Sequence, residues 1–224
     1  LQCGIKPASG KIPDKAALSA LFAGIGLRSE HHVVAADDEG GGWAGRLIWT
    51  LDCIGHHNYS LLNGGTVAWR QEGYPTTTEE AAITPSDYQL AAVDTGPIAT
   101  LEDILAQLGD PQLGIWDARS YEEYEGSKVL SRRGGHIPGA THLEWTDLMD
   151  KGRNLRLLPL AELRAMLEQR GLGPDKHIIT HCQTHHRSGL TYFVARLLGY
   201  SRVQGYDGSW SEWGNRDDTP VATP

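Results

Sequence analysis

The chain has 224 residues, room for one large domain or two small ones. Hydrophobic residues make up 40% of it and charged residues 21%, a globular balance that excludes a disordered or fibrous protein; a formal charge of −8 with no basic stripe excludes a nucleic-acid binder. No apolar run approaches the roughly 18 residues a membrane span needs, and Cys3, Cys53 and Cys182 are too scattered for a disulfide framework or a zinc knuckle.

In chain order, His32 to Ala36 predicts a short strand, followed by a polar turn of Asp37, Asp38, Glu39 and Gly40 to Gly42. A helical pattern follows, with Cys53 inside it as a packing residue. Residues 71–97 are rich in Thr, Ala, Pro and acids, with little periodicity, and read as an extended linker. Thr100 should cap a helix carrying Leu101, Ile104, Leu105 and Leu108, with Glu102 and Asp103 in its first turn. Leu113 to Asp117 is a strand ending in polar residues, and Gly135-His-Ile-Pro-Gly139 is a rigid turn leading to the next strand. Leu160 to Gly171 is a helix stopped by Gly171 and Pro174. His177 to Thr180 is too short for a helix and suits a buried parallel strand. From Ser188 onward, Leu190, Phe193, Val194, Leu197 and Leu198 share one helical face, and Gly199 ends the helix. Arg202 to Tyr206 is the last strand. Strands alternating with helices predict a mostly parallel sheet flanked by helices, with ligand sites beyond the carboxyl ends of the strands.

The chain also repeats itself. Asp38, Gly45, Gly55, Gly64 and Trp69 correspond to Cys182, Gly189, Gly199, Gly208 and Trp213 at an offset of 144. Upstream, Leu18, Gly26, His32 and Val33 correspond to Leu163, Gly171, His177 and Ile178 at 145, so Asp37 or Asp38 is one extra residue. Two copies of one α/β unit are therefore expected. The first has no thiol where the second has Cys182, so it is read as catalytically silent, its acidic loop a solvated turn.

Cys182 follows a strand and precedes a helix, where unpaired N–H groups of residues 183–188 and the helix dipole favour an anion. Arg187 adds a full charge, and both effects favour thiolate. A metal cluster of His181, Cys182, His185 and His186 is disfavoured because ligands on a tight turn cannot all converge. His185 and His186 are instead expected in the loop wall, adding positive potential when protonated. His181 is expected to be structural, Asp117 to orient its neighbours. Arg119, which follows Asp117 at a strand end, can form a local pair with it that shapes the turn. Trp210 and Trp213 either frame the pocket mouth or belong to the core.

The loop Cys182-Gln183-Thr184-His185-His186-Arg187-Ser188, with Gly205 to Trp213 downstream and Trp116-Asp-Ala-Arg119 and Gly135-His-Ile-Pro-Gly-Ala140 upstream, resembles the rhodaneses, in particular bacterial tandem-domain thiosulfate sulfurtransferases. The resemblance implies two rhodanese-like α/β domains, a silent one over 1–75 and a catalytic one over 98–224, joined by a linker at 76–97. It implies a catalytic Cys182, with Gln183, Thr184, His185, His186, Arg187, Ser188 and Arg119 binding the anionic substrate, and no cofactor or metal. The reaction expected is transfer of the sulfane sulfur of thiosulfate to cyanide or a thiol through a persulfide. Alternatives are a mercaptopyruvate sulfurtransferase, a phosphatase or arsenate reductase of similar fold, and a non-enzymatic persulfide carrier. Only four residues separate Cys182 from Arg187, one fewer than in the cysteine phosphatases, which favours sulfur over phosphate. The first copy's counterparts of residues 117–140 would precede Leu1, so the chain is expected to be a fragment, with the first domain incomplete and its sheet edges unpaired. A monomer in the cytoplasm is expected, without membrane or nucleic-acid partners.

Overall fold

A computed structural model describes residues 1–3 and 9–224. The first half comprises α1 (Lys15–Gly24), β1 (Val33–Ala35), α2 (Gly42–Cys53), β2 (Tyr59–Leu61) and α3 (Gly65–Gln71). Asp14 caps α1 by accepting the Ala17 N–H, and β1 pairs in parallel with β2, Val33 opposite Tyr59. Residues 72–97 contain no helix or strand and return along α1, where Leu90 packs against Leu18 and Phe22.

The second half comprises β3 (Ile98–Ala99), α4 (Leu101–Gln107), β4 (Leu113–Asp117), α5 (Tyr121–Glu125), β5 (Ala140–His142), the short hairpin β6 (Met149–Asp150) and β7 (Arg156–Leu157), α6 (Leu160–Gln169), β8 (His177–His181), α7 (Arg187–Leu197), β9 (Val203–Tyr206) and α8 (Ser209–Trp213). Thr100 and Asp103 form the capping box that starts α4. Five strands make one parallel sheet in the order β3-β9-β8-β4-β5. Its central strands alternate between two cores. Ile178 joins Leu163, Leu167, Leu190 and Val194 on the face covered by α6 and α7, whereas Ile179 joins Ile104, Ile115, Trp210 and Trp213 on the face covered by α4 and α8. Trp210 and Trp213 are thus core residues rather than a pocket rim.

The two halves meet where α2 crosses α7. A Cβ placed on Gly45 would lie 2.4 Å from the Leu190 nitrogen, and one on Gly189 would lie 2.4 Å from the Arg46 nitrogen. Two glycines equated by the 144-residue offset therefore touch each other, and their missing side chains let two backbones meet directly. The same sandwich corrects the predicted face of α7. Because the helix is covered by the sheet on one side and α2 on the other, Thr191, Tyr192 and Ala195 are buried as well, while Leu197 at its overhanging end is 44% exposed.

Candidate active site

The site is built on the loop between β8 and α7. Each carbonyl of its first four residues is taken from outside: that of Cys182 by the Trp210 N–H at 3.0 Å, Gln183 by the Ser211 N–H at 2.9 Å, Thr184 by Gln2 Nε2 at 2.8 Å and His185 by Arg46 Nη1 at 3.5 Å. With the carbonyls pointing outward, N–H groups are free to face inward. His185 makes the turn possible by adopting φ +56°. Two of the four clamps come from α8, whose first N–H groups have no intrahelical partners.

Cys182 lies at the floor, 1% exposed. Burial pushes its thiol pKa up, yet the charge of Arg187 and hydrogen bonds from the Ser188 hydroxyl, the Ser188 N–H and the Thr184 N–H outweigh burial, and the net direction is down. His185 is fully buried and turned away from the sulfur: its Nδ1 meets Ser188 Oγ at 2.7 Å and its ring stands edge-on to Trp49, centroids 4.5 Å apart. Burial, with Arg46 adding to it, drives its pKa well below the usual range, so it is neutral. Its Nδ1 and the Ser188 hydroxyl share one hydrogen bond, in which either can be the donor according to the tautomer. The expectation that His185 supplies positive potential is therefore corrected; it is a neutral plug under the loop.

His186 does not face the sulfur either. Its Nε2 bonds Glu39 of the first half, and its ring lies 4.2 Å from that of Trp43. Gln183 is spent on a different neighbour, its Nε2 donating to Ser131 Oγ at 3.1 Å. Thr184 contributes backbone. Arg119 takes the local-pair reading: it is buried, donates from Nε to Asp117 Oδ1 at 2.9 Å and from Nη2 to the Gly135 carbonyl at 2.8 Å, and packs over Trp210. Asp117 is held near 2: burial would raise it, and His181 and Arg119 overcome that. His181, buried beside it, is depressed to about 4 by desolvation and is structural.

Four contributors were invisible to sequence reasoning. Glu123 grips Arg187 with both carboxylate oxygens, at 2.7 and 2.8 Å. Arg46 and Trp49 reach the loop from α2, and Ser209 accepts the Cys182 N–H at 3.3 Å. The first half shows what the shared loop is built to hold. Asp37 Oδ1 accepts the N–H groups of Glu39, Gly40 and Gly41, at 3.1, 3.1 and 2.8 Å, and its Oδ2 accepts that of Ala44 at 2.9 Å. The solvated turn expected there holds for Asp38, which is exposed, but Asp37 is an anion caged in a nest of amides.

Among the described residues no cluster of His, Cys, Asp and Glu is arranged to hold a metal ion, and no helix is long and apolar enough to cross a membrane. A cavity of about 460 Å³ lined by Tyr59, Leu61, Phe193 and Arg196 sits at the far end of α7 from Cys182 and holds no thiol.

Residues 100–216 match the model of the rhodanese-like domain. The chain is 53% identical over 220 residues to a thiosulfate sulfurtransferase of Pseudomonas aeruginosa and 52% identical to one of Azotobacter vinelandii, in each case covering 98% of this chain and 80% of the relative. A sulfur carrier protein of Thermus thermophilus is 34% identical over 214 residues, covering 90% of this chain and 74% of that protein. Among solved structures, the anaerobic ergothioneine biosynthesis enzyme of Chlorobium limicola superimposes with a TM-score of 0.85 at 23% identity, over 94% of this chain and 55% of that one, a likeness of fold.

Proposed function

The chain belongs to the rhodanese family, and from that premise we propose that it is a thiosulfate sulfurtransferase working through a persulfide on Cys182. One observation carries the proposal: the Cys182 sulfur is buried, yet its thiolate is favoured by Arg187 and by donors from Thr184 and Ser188. The thiolate attacks the outer sulfur of thiosulfate. A new S–S bond forms as the S–S bond of thiosulfate breaks, and sulfite leaves with the bonding pair. Thr184 and Ser188 can donate to the persulfide's terminal sulfur as they do to the thiolate, so the charge stays solvated by fixed dipoles in both halves of the cycle. Cyanide or a thiol then takes the outer sulfur, and the Cys182 thiolate returns.

Within this reading Cys182 is the nucleophile, and Thr184, Ser188 and Arg187 hold the sulfur-borne charge; Gln183, His185, His186 and Arg119 shape the loop. Residues 1–75 form a silent rhodanese-like unit, 76–97 a linker and 98–224 the catalytic domain, a division supported by the contact of Gly45 with Gly189. The protein acts as a cytoplasmic monomer on small-molecule donors and acceptors. Mass spectrometry after thiosulfate treatment should find one added sulfur on Cys182, and Cys182→Ser should neither load nor turn over. A Cys182→Ser protein with normal turnover overturns the proposal.

A further inference from the structure

Arg187 is not at liberty to embrace a substrate. Both terminal nitrogens of its guanidinium are engaged by Glu123, Nη1 with Oε2 at 2.7 Å and Nη2 with Oε1 at 2.8 Å, while the charge of the same group favours the Cys182 thiolate. Glu123 is 2% exposed and anchored at the third position of α5, where the Ser120 hydroxyl accepts its N–H and the Ser120 N–H reaches its carboxylate. Burial would keep this carboxyl protonated, but Arg187 prevails and holds it ionised. The other cations near the loop are committed too. Arg119 is answered by Asp117, and Arg46 stands behind the loop against the carbonyls of His185 and Leu1. His181 and His185 are neutral.

We propose, building on the sulfur-transfer reading above, that Glu123 is a positioning and specificity residue: it fixes the orientation of Arg187 and cancels its charge toward everything but the neighbouring sulfur. An ionised sulfur on Cys182 is satisfied at short range by hydrogen bonds. A tetrahedral oxyanion entering the cup meets no uncompensated cation. Thiosulfate is then engaged by its outer sulfur while its sulfonate is held loosely, and the sulfite released after S–S cleavage has little to retain it. Sulfate and phosphate are weak competitors for the same reason. Tight oxyanion binding would be uniform binding, which slows product departure without helping the transferred sulfur.

The test compares Glu123→Gln, Glu123→Asp and Ser120→Ala with the parent chain. The readout is the concentration of sulfite, and separately of sulfate, that halves alkylation of Cys182 by iodoacetamide, a measurement that does not require turnover. Glu123→Gln leaves Arg187 uncompensated and should be protected at concentrations lower by about tenfold or more. Its alkylation profile should move to lower pH, and where turnover survives, KM for thiosulfate and kcat should fall together. Glu123→Asp keeps the charge and should protect like the parent. Ser120→Ala breaks the helix cap but leaves the ion pair, so a purely structural role for Glu123 predicts that it copies Glu123→Gln; the proposal requires that it does not. Protection of Glu123→Gln that is unchanged or weaker overturns the proposal, whether or not the variant is active. Failure of the parent to gain sulfur from thiosulfate would overturn the sulfur-transfer reading alone, because the protection titration reports on Glu123 independently.

Discussion

Gly45→Ala should damage stability and chemistry together. The added methyl would sit 2.4 Å from the Leu190 nitrogen, 2.5 Å from the Gly189 carbonyl carbon and 2.6 Å from the Leu190 Cα, all of them backbone atoms that no rotamer change can move. Ordinary contact begins near 3.4 Å, so α2 and α7 must part by about 1 Å along their crossing. Overpacking of this kind costs about 1–3 kcal/mol or more, and the roughly 1 kcal/mol that alanine gains as a helix former offsets only part of it. A net loss of about 2 kcal/mol should lower Tm by roughly 4–8 °C for a chain of this size. The displacement also acts on the chemistry, because Arg187 and Ser188 immediately precede Gly189 at the start of α7. Thermal melts paired with steady-state thiosulfate kinetics should show a lower Tm and kcat/KM reduced by about tenfold, in keeping with the sensitivity of catalysis to misplacements near 1 Å. Gly24→Ala is the control: a Cβ there meets nothing within 4 Å, and the variant should be neutral or slightly more stable. A Gly45→Ala protein with the parent's Tm and turnover would refute the idea that backbone contact between the halves sets the loop.

Arg187→Ala should raise the pH at which Cys182 becomes alkylated, since burial, which pushes that thiol up, would lose its main opponent; an unchanged profile with iodoacetamide would mean that the amides alone hold the thiolate. His181 makes stability depend on pH. Its pKa is about 4 when folded and 6.5 when unfolded, so the unfolded chain binds a proton first as pH falls, and stability drops between about 6.5 and 4. The loss attributable to His181 between pH 7 and pH 5 should be about 2 kcal/mol in urea titrations and should vanish in His181→Asn. Asp117 acts lower: its stabilisation is complete above its unfolded value near 3.8 and disappears as pH falls through about 2, so circular dichroism should show Asp117→Asn lacking that acid limb. Asp37→Ala empties the nest of the first half and should cost about 2–3 kcal/mol in a melt, more in chloride than in sulfate at equal ionic strength.

The sheet, the Cys182 turn and the fold of the second half were legible because each is encoded locally. Ile178 and Ile179 make a strand too short to be anything else, Thr100 and Asp103 write their own cap, and a cysteine between a strand and an amphipathic helix announces its setting. The paired glycines were legible as a repeat, though not as a contact. What escaped was decided by partners far away in the chain. Glu123 lies in Tyr-Glu-Glu-Tyr-Glu, which reads as a solvated face, and only an arginine 64 positions later makes it a buried anion. Arg46 belongs to an ordinary helical pattern until the fold puts the His185 carbonyl before it, 139 residues on. His185 and His186 misled for the opposite reason. Adjacent residues in a tight turn face different ways, and here one points into the core and the other at the first half, leaving the sulfur to Arg187, amides and a hydroxyl.

For the silent unit proposed over residues 1–75, the caged carboxylate of Asp37 supplies a means of keeping it silent. A tethered occupant faces its amides at an effective concentration of millimolar or higher, so dissolved anions must displace a competitor that never diffuses away. Installing a thiol in that turn would not revive it while the plug remained. Two substitutions are needed, and the first of them, removal of Asp37, weakens the fold before anything is gained. Inertness of this kind is self-maintaining.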